Sequence, residues 1–339
     1  MYISEAINKV LFELLTTNPE VYLMGEDIES PYGGAFKITK NLSEQFKSRV
    51  INTPISESSL VGVASGMAMR GLRPVLEIMF GDFMTLGMDQ LVNHASKFHY
   101  MYNGQVDVPM FIRTPMGGRR GYGPTHSQTL EKLLLGIPGI KVLALSQRHS
   151  FHDIYIHAVT KEKCPVILIE NKALYSMRQE LPENGRSGDF FITESAGPYP
   201  CLTLSLNNFV SADATVVTYG GMLPLVEKAA TQLCLDEEIF VEIVVPSLLG
   251  VPLDINWVEA SLRRTGRLVI VEEGTQSFGF GSEVAALACS KYFKLLKYPV
   301  IRIAAADSPI PCARHLENLV LPNEANIYQE LKWGILNDS

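Results

Sequence analysis

Arg49-Val50-Ile51-Asn52-Thr53-Pro54-Ile55-Ser56-Glu57-Ser58-Ser59-Leu60-Val61-Gly62-Val63-Ala64 passes from a short apolar strand into a helix that continues to about Arg70. A strand feeding a helix is the repeating unit of an α/β protein, and the chain repeats it on both sides. Upstream, Ile7, Val10, Leu11, Leu14 and Leu15 fall on one helical face behind Ser4, the expected N-cap. Val21-Tyr22-Leu23-Met24 follows as a buried strand ending in Gly25-Glu26-Asp27. Downstream come the strand Pro74 to Met79, a helix from about Met84 to His99, and the strand Val108 to Arg113. A Gly-rich loop, a helix near Ser150 to Thr160 and the strand Pro165 to Glu170 complete this half. Apolar strands alternating with helices imply a parallel sheet covered on both faces.

From about Arg178 to Pro200 the chain collects Pro182, Gly185, Gly188, Gly197, Pro198 and Pro200 among polar residues, which predicts a linker. Alternation then resumes. Strands are expected at Ala214 to Thr218, Phe240 to Val245, Arg267 to Val271 and Val300 to Ile303. Helices near 223–235, 257–264 and 282–293 separate them. The predicted architecture is α/β with two doubly wound domains, over residues 1–185 and a smaller one over 200–339. Two domains also follow from length, since 339 residues exceed one usual core.

Composition narrows the function. Net charge is -7 with no long Lys/Arg block, which argues against nucleic acid as a partner. No apolar run reaches the length of a membrane span. Met1 leads almost at once into an amphipathic helix, without a signal-peptide pattern. Cys164, Cys201, Cys234, Cys289 and Cys312 are scattered, with no C-x-x-C pair. They read as reduced thiols of a cytoplasmic protein. There is no Walker A loop, no G-x-S-x-G elbow and no H-E-x-x-H.

Two places stand out for chemistry. Glu57 lies at a strand-to-helix junction. An acid there complements the positive end of the helix dipole, and such junctions are also where α/β proteins place binding and catalytic groups. The loop Pro115-Met116-Gly117-Gly118-Arg119-Arg120-Gly121-Tyr122-Gly123-Pro124-Thr125-His126-Ser127-Gln128 carries four glycines and one histidine. It reads either as a functional loop on a rigid scaffold or as a surface loop with a satisfied histidine. Arg119 and Arg120 would meet an anion or be solvated. His149, His152 and His157 match no familiar zinc spacing, so no metal is expected of this chain. Gly279-Phe280-Gly281 lacks the third glycine of a dinucleotide fingerprint and is taken as a plain helix start. The helix after Glu57 is rich in small residues, which fits tight packing within the domain or a subunit interface.

Further motifs occur in order: Gly34-Ala35-Phe36-Lys37-Ile38-Thr39, Thr53-Pro54-Ile55-Ser56-Glu57, Gly71-Leu72-Arg73-Pro74, Asp89-Gln90-Leu91-Val92-Asn93 and His126-Ser127-Gln128. Near the end come Gly266-Arg267-Leu268-Val269-Ile270-Val271-Glu272-Glu273-Gly274 and Pro309-Ile310-Pro311. With these, nearly the whole chain resembles the beta subunit of the thiamine-diphosphate-dependent decarboxylase component of 2-oxoacid dehydrogenase complexes. Pyruvate, branched-chain 2-oxoacid and acetoin dehydrogenases form this group of the transketolase-like superfamily. The resemblance implies an N-terminal pyrimidine-binding domain and a C-terminal transketolase-type domain. It implies that Glu57 hydrogen-bonds the aminopyrimidine of thiamine diphosphate and that Phe83 stacks on that ring. It also implies that His126 stands at the reacting centre. The family's Gly-Asp-Gly motif for the magnesium diphosphate is absent here, because Gly81-Asp82 is followed by Phe83 and Gly188-Asp189 by Phe190. The resemblance therefore implies an alpha subunit that holds the diphosphate and Mg2+, in an alpha2-beta2 assembly with a beta-beta contact. It adds a lipoyl acyltransferase as a further partner. Where many members carry Asp-Leu-Arg-Thr-Leu, this chain has Val244-Val245-Pro246-Ser247-Leu248. That departure leaves open an acyloin synthase that works without lipoate; a non-catalytic assembly subunit is a further alternative, against which Glu57, Phe83 and His126 argue.

Overall fold

The computed structural model describes residues 1–206 and 212–337. Six strands form the first sheet: β1 (Val21–Gly25), β2 (Val50–Asn52), β3 (Arg73–Glu77), β4 (Phe111–Met116), β5 (Lys141–Ala144) and β6 (Val166–Asn171). Their order is β2-β1-β3-β4-β6-β5, and every pairing is parallel. Side chains alternate across the strands, so one sequence supplies two cores. Leu23, Val75 and Leu168 face the helices Ile3–Thr17 and Phe151–Thr160. Met24, Leu76 and Ile167 face the helix Glu57–Met69.

The second sheet holds β7 (Arg186–Ser187), β8 (Phe190–Glu194), β9 (Cys201–Ser205), β10 (Ala214–Thr218), β11 (Val241–Pro246), β12 (Leu268–Thr275) and β13 (Ile301–Ala305). The order is β13-β12-β10-β11-β9-β8-β7. Strands β10 to β13 pair in parallel, whereas β9 runs antiparallel to β11, and β8 and β7 continue that edge. This sheet is thus mixed, a parallel core with an antiparallel margin.

The margin corrects the expected linker. Within Arg178 to Pro200, β7 and β8 form a hairpin across Gly188, which sits at φ +58°, and β8 then pairs with β9. Its Gly and Pro residues mark turns between short strands, so composition alone hid them. Strands β5 and β9 and the C-terminal helix Glu324–Leu336 are likewise additions to the sequence reading. Ser4 is not the cap of the first helix. That helix starts at Ile3, and the Glu5 carboxylate accepts the Tyr2 N–H at 2.9 Å.

The expected helix from Met84 to His99 is broken. Gly81–Gly87 is a 3-10 turn, Gln90–Ala95 a π turn, and only Phe98–Met101 is α-helical. The 3-10 turn is pressed onto the helix Glu57–Met69 at Gly87, where an added Cβ would lie 3.0 Å from Val61 and 3.4 Å from the Glu57 carbonyl. Local spacing cannot announce such a constraint.

The sheets are joined along one edge. β5 forms an antiparallel bridge with the segment after β11, through Ala144 N–H to Ser247 O at 2.9 Å and Leu249 N–H to Val142 O at 2.8 Å. One apolar cluster continues across the join, from Leu76, Ile112 and Ile167 to Val217, Tyr219, Val244 and Phe280.

Candidate active site

The site residues gather at the C-terminal ends of β1 to β4 and β6, the side of a parallel sheet where ligands bind. Glu57 is the first residue of its helix, and Ser56 caps it by accepting the Ser59 N–H at 3.4 Å. Both readings of Glu57 therefore share one place. It lies in the first turn, where a carboxylate meets the helix dipole, and it is only 4% exposed. Among the described residues, no hydrogen bond or ion pair reaches its carboxylate. Glu26, just after β1, stands beside it. Burial and then the charge of Glu57 push the Glu26 carboxyl above its ordinary range. Glu26 Oε1 is buried without a partner. Two neighbouring acids short of donors leave room for an external N–H donor.

An aromatic wall follows β3. The Phe80 ring packs edge-on against Phe36, Phe83, Tyr122 and His126, with centroids at 5.6, 6.1, 5.7 and 4.7 Å. Phe83 meets the His126 ring at 5.1 Å, again edge-on. The structure thus brings Phe83 and His126 into contact. It carries Glu57 to the same rim through the 3-10 turn that bears Phe83 and packs at Gly87 against the start of the Glu57 helix.

His126 rides on a closed loop after β4. Gly117 N–H to Gln128 O, at 3.2 Å, pinches its neck. Gly117 has φ +94° and an added Cβ would clash with Asn171 at 2.7 Å, so this position needs glycine. Gln128 donates to Asp82 at 2.8 Å, tying the loop to the 3-10 turn. Thr125 Oγ1 lies 2.9 Å from His126 Nδ1. The second domain holds the loop from the other side. Gly118 N–H donates to Glu273 at 2.7 Å, and Arg119 N–H to Glu317 at 2.6 Å. Asn171, the last residue of β6, also donates to Glu273, at 2.6 Å.

The arginines resolve into separate roles. Arg119 pairs with Glu273 at 3.1 Å and donates to Pro322 O. Arg120 donates to the Lys172 carbonyl at 2.8 Å and remains exposed. Beneath the site, fully buried Arg113 bridges Glu77 and Glu170, and Tyr155 and Tyr175 donate to Glu170 as well. At the domain seam Glu131 is also fully buried. Its Oε1 accepts the Tyr219 hydroxyl at 2.6 Å and its Oε2 has no partner. Burial pushes this carboxyl up to about 8, against the pull of the Tyr219 bond.

The three histidines near residue 150 have unrelated surroundings. His149 is buried against Ser146, and burial lowers its pKa to about 4. His152 pairs with Glu13 and Asp153, and His157 with Glu162. Gly279 caps the helix Phe280–Tyr292, and Gly281 N–H donates to Glu272 at 3.1 Å, so an internal carboxylate occupies that helix start. Phe80 and Lys172 were absent from the sequence reading, and Glu26 and Tyr122 were quoted within motifs without being assigned to the site.

Residues 1–178 match the transketolase pyrimidine binding domain, and residues 210–327 match the transketolase C-terminal domain. The chain is 35% identical over 336 residues to the pyruvate dehydrogenase E1 component subunit beta-1, mitochondrial, of Arabidopsis thaliana, covering 98% of this chain and 88% of that protein. It is 35% identical to the pyruvate dehydrogenase E1 component subunit beta of Rickettsia bellii, covering 97% of each. It is 32% identical to the acetoin:2,6-dichlorophenolindophenol oxidoreductase subunit beta of Bacillus subtilis, covering 96% and 94%. Among solved structures it superposes on a split gene transketolase, described as an inactive beta4 tetramer, with TM-score 0.71 over 99% of this chain and 98% of that one, at 21% identity. That likeness concerns the fold alone. The paired domains and the full-length relatives place this chain in the transketolase-like family of thiamine-diphosphate enzymes, among the E1 beta subunits of pyruvate and acetoin dehydrogenases.

Proposed function

We propose that this chain supplies the aminopyrimidine half of a thiamine diphosphate site shared with an alpha subunit, in an E1 enzyme acting on a 2-oxoacid or on acetoin. The observation that carries the reading is the Glu57 carboxylate, buried at the helix start with no donor from the described residues. A carboxylate so placed suits a charge-assisted hydrogen bond from a ring N–H. The half-exposed face of Phe83 suits stacking of that ring, and His126 beside it suits proton delivery to the reacting carbonyl. When bound, thiamine diphosphate supplies the nucleophilic carbon and the electron sink for cleaving a bond next to a carbonyl. The chain's own work is to hold the pyrimidine edge at Glu57 and present His126 on a braced loop.

Supporting the division of labour, Asp82 in the sequence Gly81-Asp82-Phe83 is buried and bonded to Gln128. On this reading Mg2+ and the diphosphate belong to the alpha subunit in an alpha2-beta2 assembly. The helix Glu57–Met69 presents Gly62, Val63, Gly66 and Met69 on an exposed face, which supports a close subunit contact there. A lipoyl group on an acyltransferase is the acceptor we assign. The division into residues 1–185 and 200–339 belongs to the same reading, with β7 and β8 lying between the two. Free cysteines throughout support a reducing, cytoplasmic setting. Among the described residues no helix is long and apolar enough to cross a membrane.

Calorimetry tests the shared site. Thiamine diphosphate with Mg2+ is expected to bind the mixture with an alpha subunit and not this chain alone. Glu57→Gln in the complex is expected to lower turnover by about 100-fold or more. Tight binding by the isolated chain would sink the division. Full turnover without a lipoyl acceptor, with a lengthened carbon chain as product, would move the assignment to an acyloin synthase.

A further inference from the structure

Lys172 is a lysine with no solvent exposure at all, directly behind the His126 loop. Lysine is among the residues least often fully buried, so its position calls for a partner. Its Nζ donates to the His126 carbonyl at 2.6 Å. The same ammonium lies 5.3 Å from the Phe80 ring centroid and 5.9 Å from that of Tyr122, within reach of both π faces. Its backbone carbonyl accepts the Arg120 guanidinium at 2.8 Å. One residue just after β6 therefore grips the loop at residue 120 and residue 126, and touches the wall against which the imidazole packs.

We propose that Lys172 in its charged form is the inner clamp of the His126 loop, a positioning residue that sets where the imidazole stands. The inference rests on His126 being a site residue. The ammonium faces acids from three elements, Asp82 after β3, Glu273 on β12 and Glu317 on the helix Arg314–Val320, with Arg120 as the opposing cation. Burial outweighs these acids and lowers the Lys172 pKa to about 8. The clamp is thus charged at neutral pH and loses its charge as pH rises through about 8. A neutral amine still donates a hydrogen bond, but one without charge assistance and with weaker attraction to the rings.

Two measurements test the clamp. The first is hydrogen exchange of the full chain at amides 117–128, corrected for intrinsic pH dependence, between about pH 7 and about pH 9. Wild type should lose protection across this range, Lys172→Arg should keep it, and Lys172→Met should lack it throughout. The second is turnover of the complex with an alpha subunit. Lys172→Met should lower kcat by about 10-fold with KM nearly unchanged, while Lys172→Arg retains activity and shifts the alkaline limb of the pH profile upward. Loop protection that is the same at pH 7 and 9 and unaltered in Lys172→Met would overturn the clamp. So would an unchanged kcat in Lys172→Met when His126→Ala is inactive. If His126→Ala keeps full turnover, the role of His126 fails instead, and the exchange result still decides the clamp. Should Lys172→Met not fold, the pH dependence of wild-type exchange decides it alone.

Discussion

Glu57 and Glu131 are both buried acids in different surroundings. Glu57 sits in the first turn of its helix. Burial, aided by the nearby acids Glu272 and Glu273 and opposed by the Tyr219 hydroxyl, makes the folded state favour the protonated form of Glu131. Its carboxyl rises from an ordinary 4.5 to about 8, so its contribution to stability is complete below the unfolded value. That contribution declines as pH climbs through the folded value. Glu131→Gln keeps an acceptor for Tyr219 and cannot ionise. The variant should gain on wild type between about pH 5 and about pH 8, by on the order of 1 to 3 kcal/mol in urea unfolding. A constant difference over that range would refute the assignment. At this scale residue type and motif were enough to single out Glu57, Phe83 and His126 as candidates. Lys172, Glu26 and Phe80 were not singled out, because what distinguishes them is burial and a partner more than 40 residues away or on another strand.

Among elements, the strands β3, β4 and β6 are stapled near their C-terminal ends by Arg113. Glu77 and Arg113 pair across neighbouring strands, and Glu170 completes the bridge from β6. Burial raises the Glu77 carboxyl, and the two acids hold the guanidinium firmly charged. Removing the cation strands two buried acids. Arg113→Met should therefore cost about 3–5 kcal/mol in denaturant unfolding, far more than a surface ion-pair deletion. A loss below about 1 kcal/mol would mean that water or protonation satisfies the acids. Continuous apolar strands such as β10 and β6 were readable from composition, because burial on both faces leaves an unbroken apolar run. The 3-10 turn at Gly81–Gly87, the π turn at Gln90–Ala95 and the β7–β8 hairpin were not, since packing rather than periodicity sets them.

Across the whole molecule, apolar surface remains where a partner would lie. Val63 is 55% exposed, Ile55 82% and Leu86 60%, and an added Cβ at Gly66 would meet nothing within 4 Å. Such a face is inert within one chain and valuable against another. Val63→Asp should leave the melting temperature of the isolated chain within about 2 °C of wild type while abolishing co-elution with an alpha subunit on size exclusion. Retained co-elution would place the interface elsewhere. The two-domain plan was visible in the sequence, but the edge joining β5 to Ser247 and Leu249 was not.

The His126 loop belongs by sequence to the first domain, but the carboxylates of Glu273 and Glu317 in the second fix the amides at its root. The two halves of this chain are therefore not freely separable. A chimaera that borrows its second half from a relative would inherit a working loop only if the graft brings acids to those two positions.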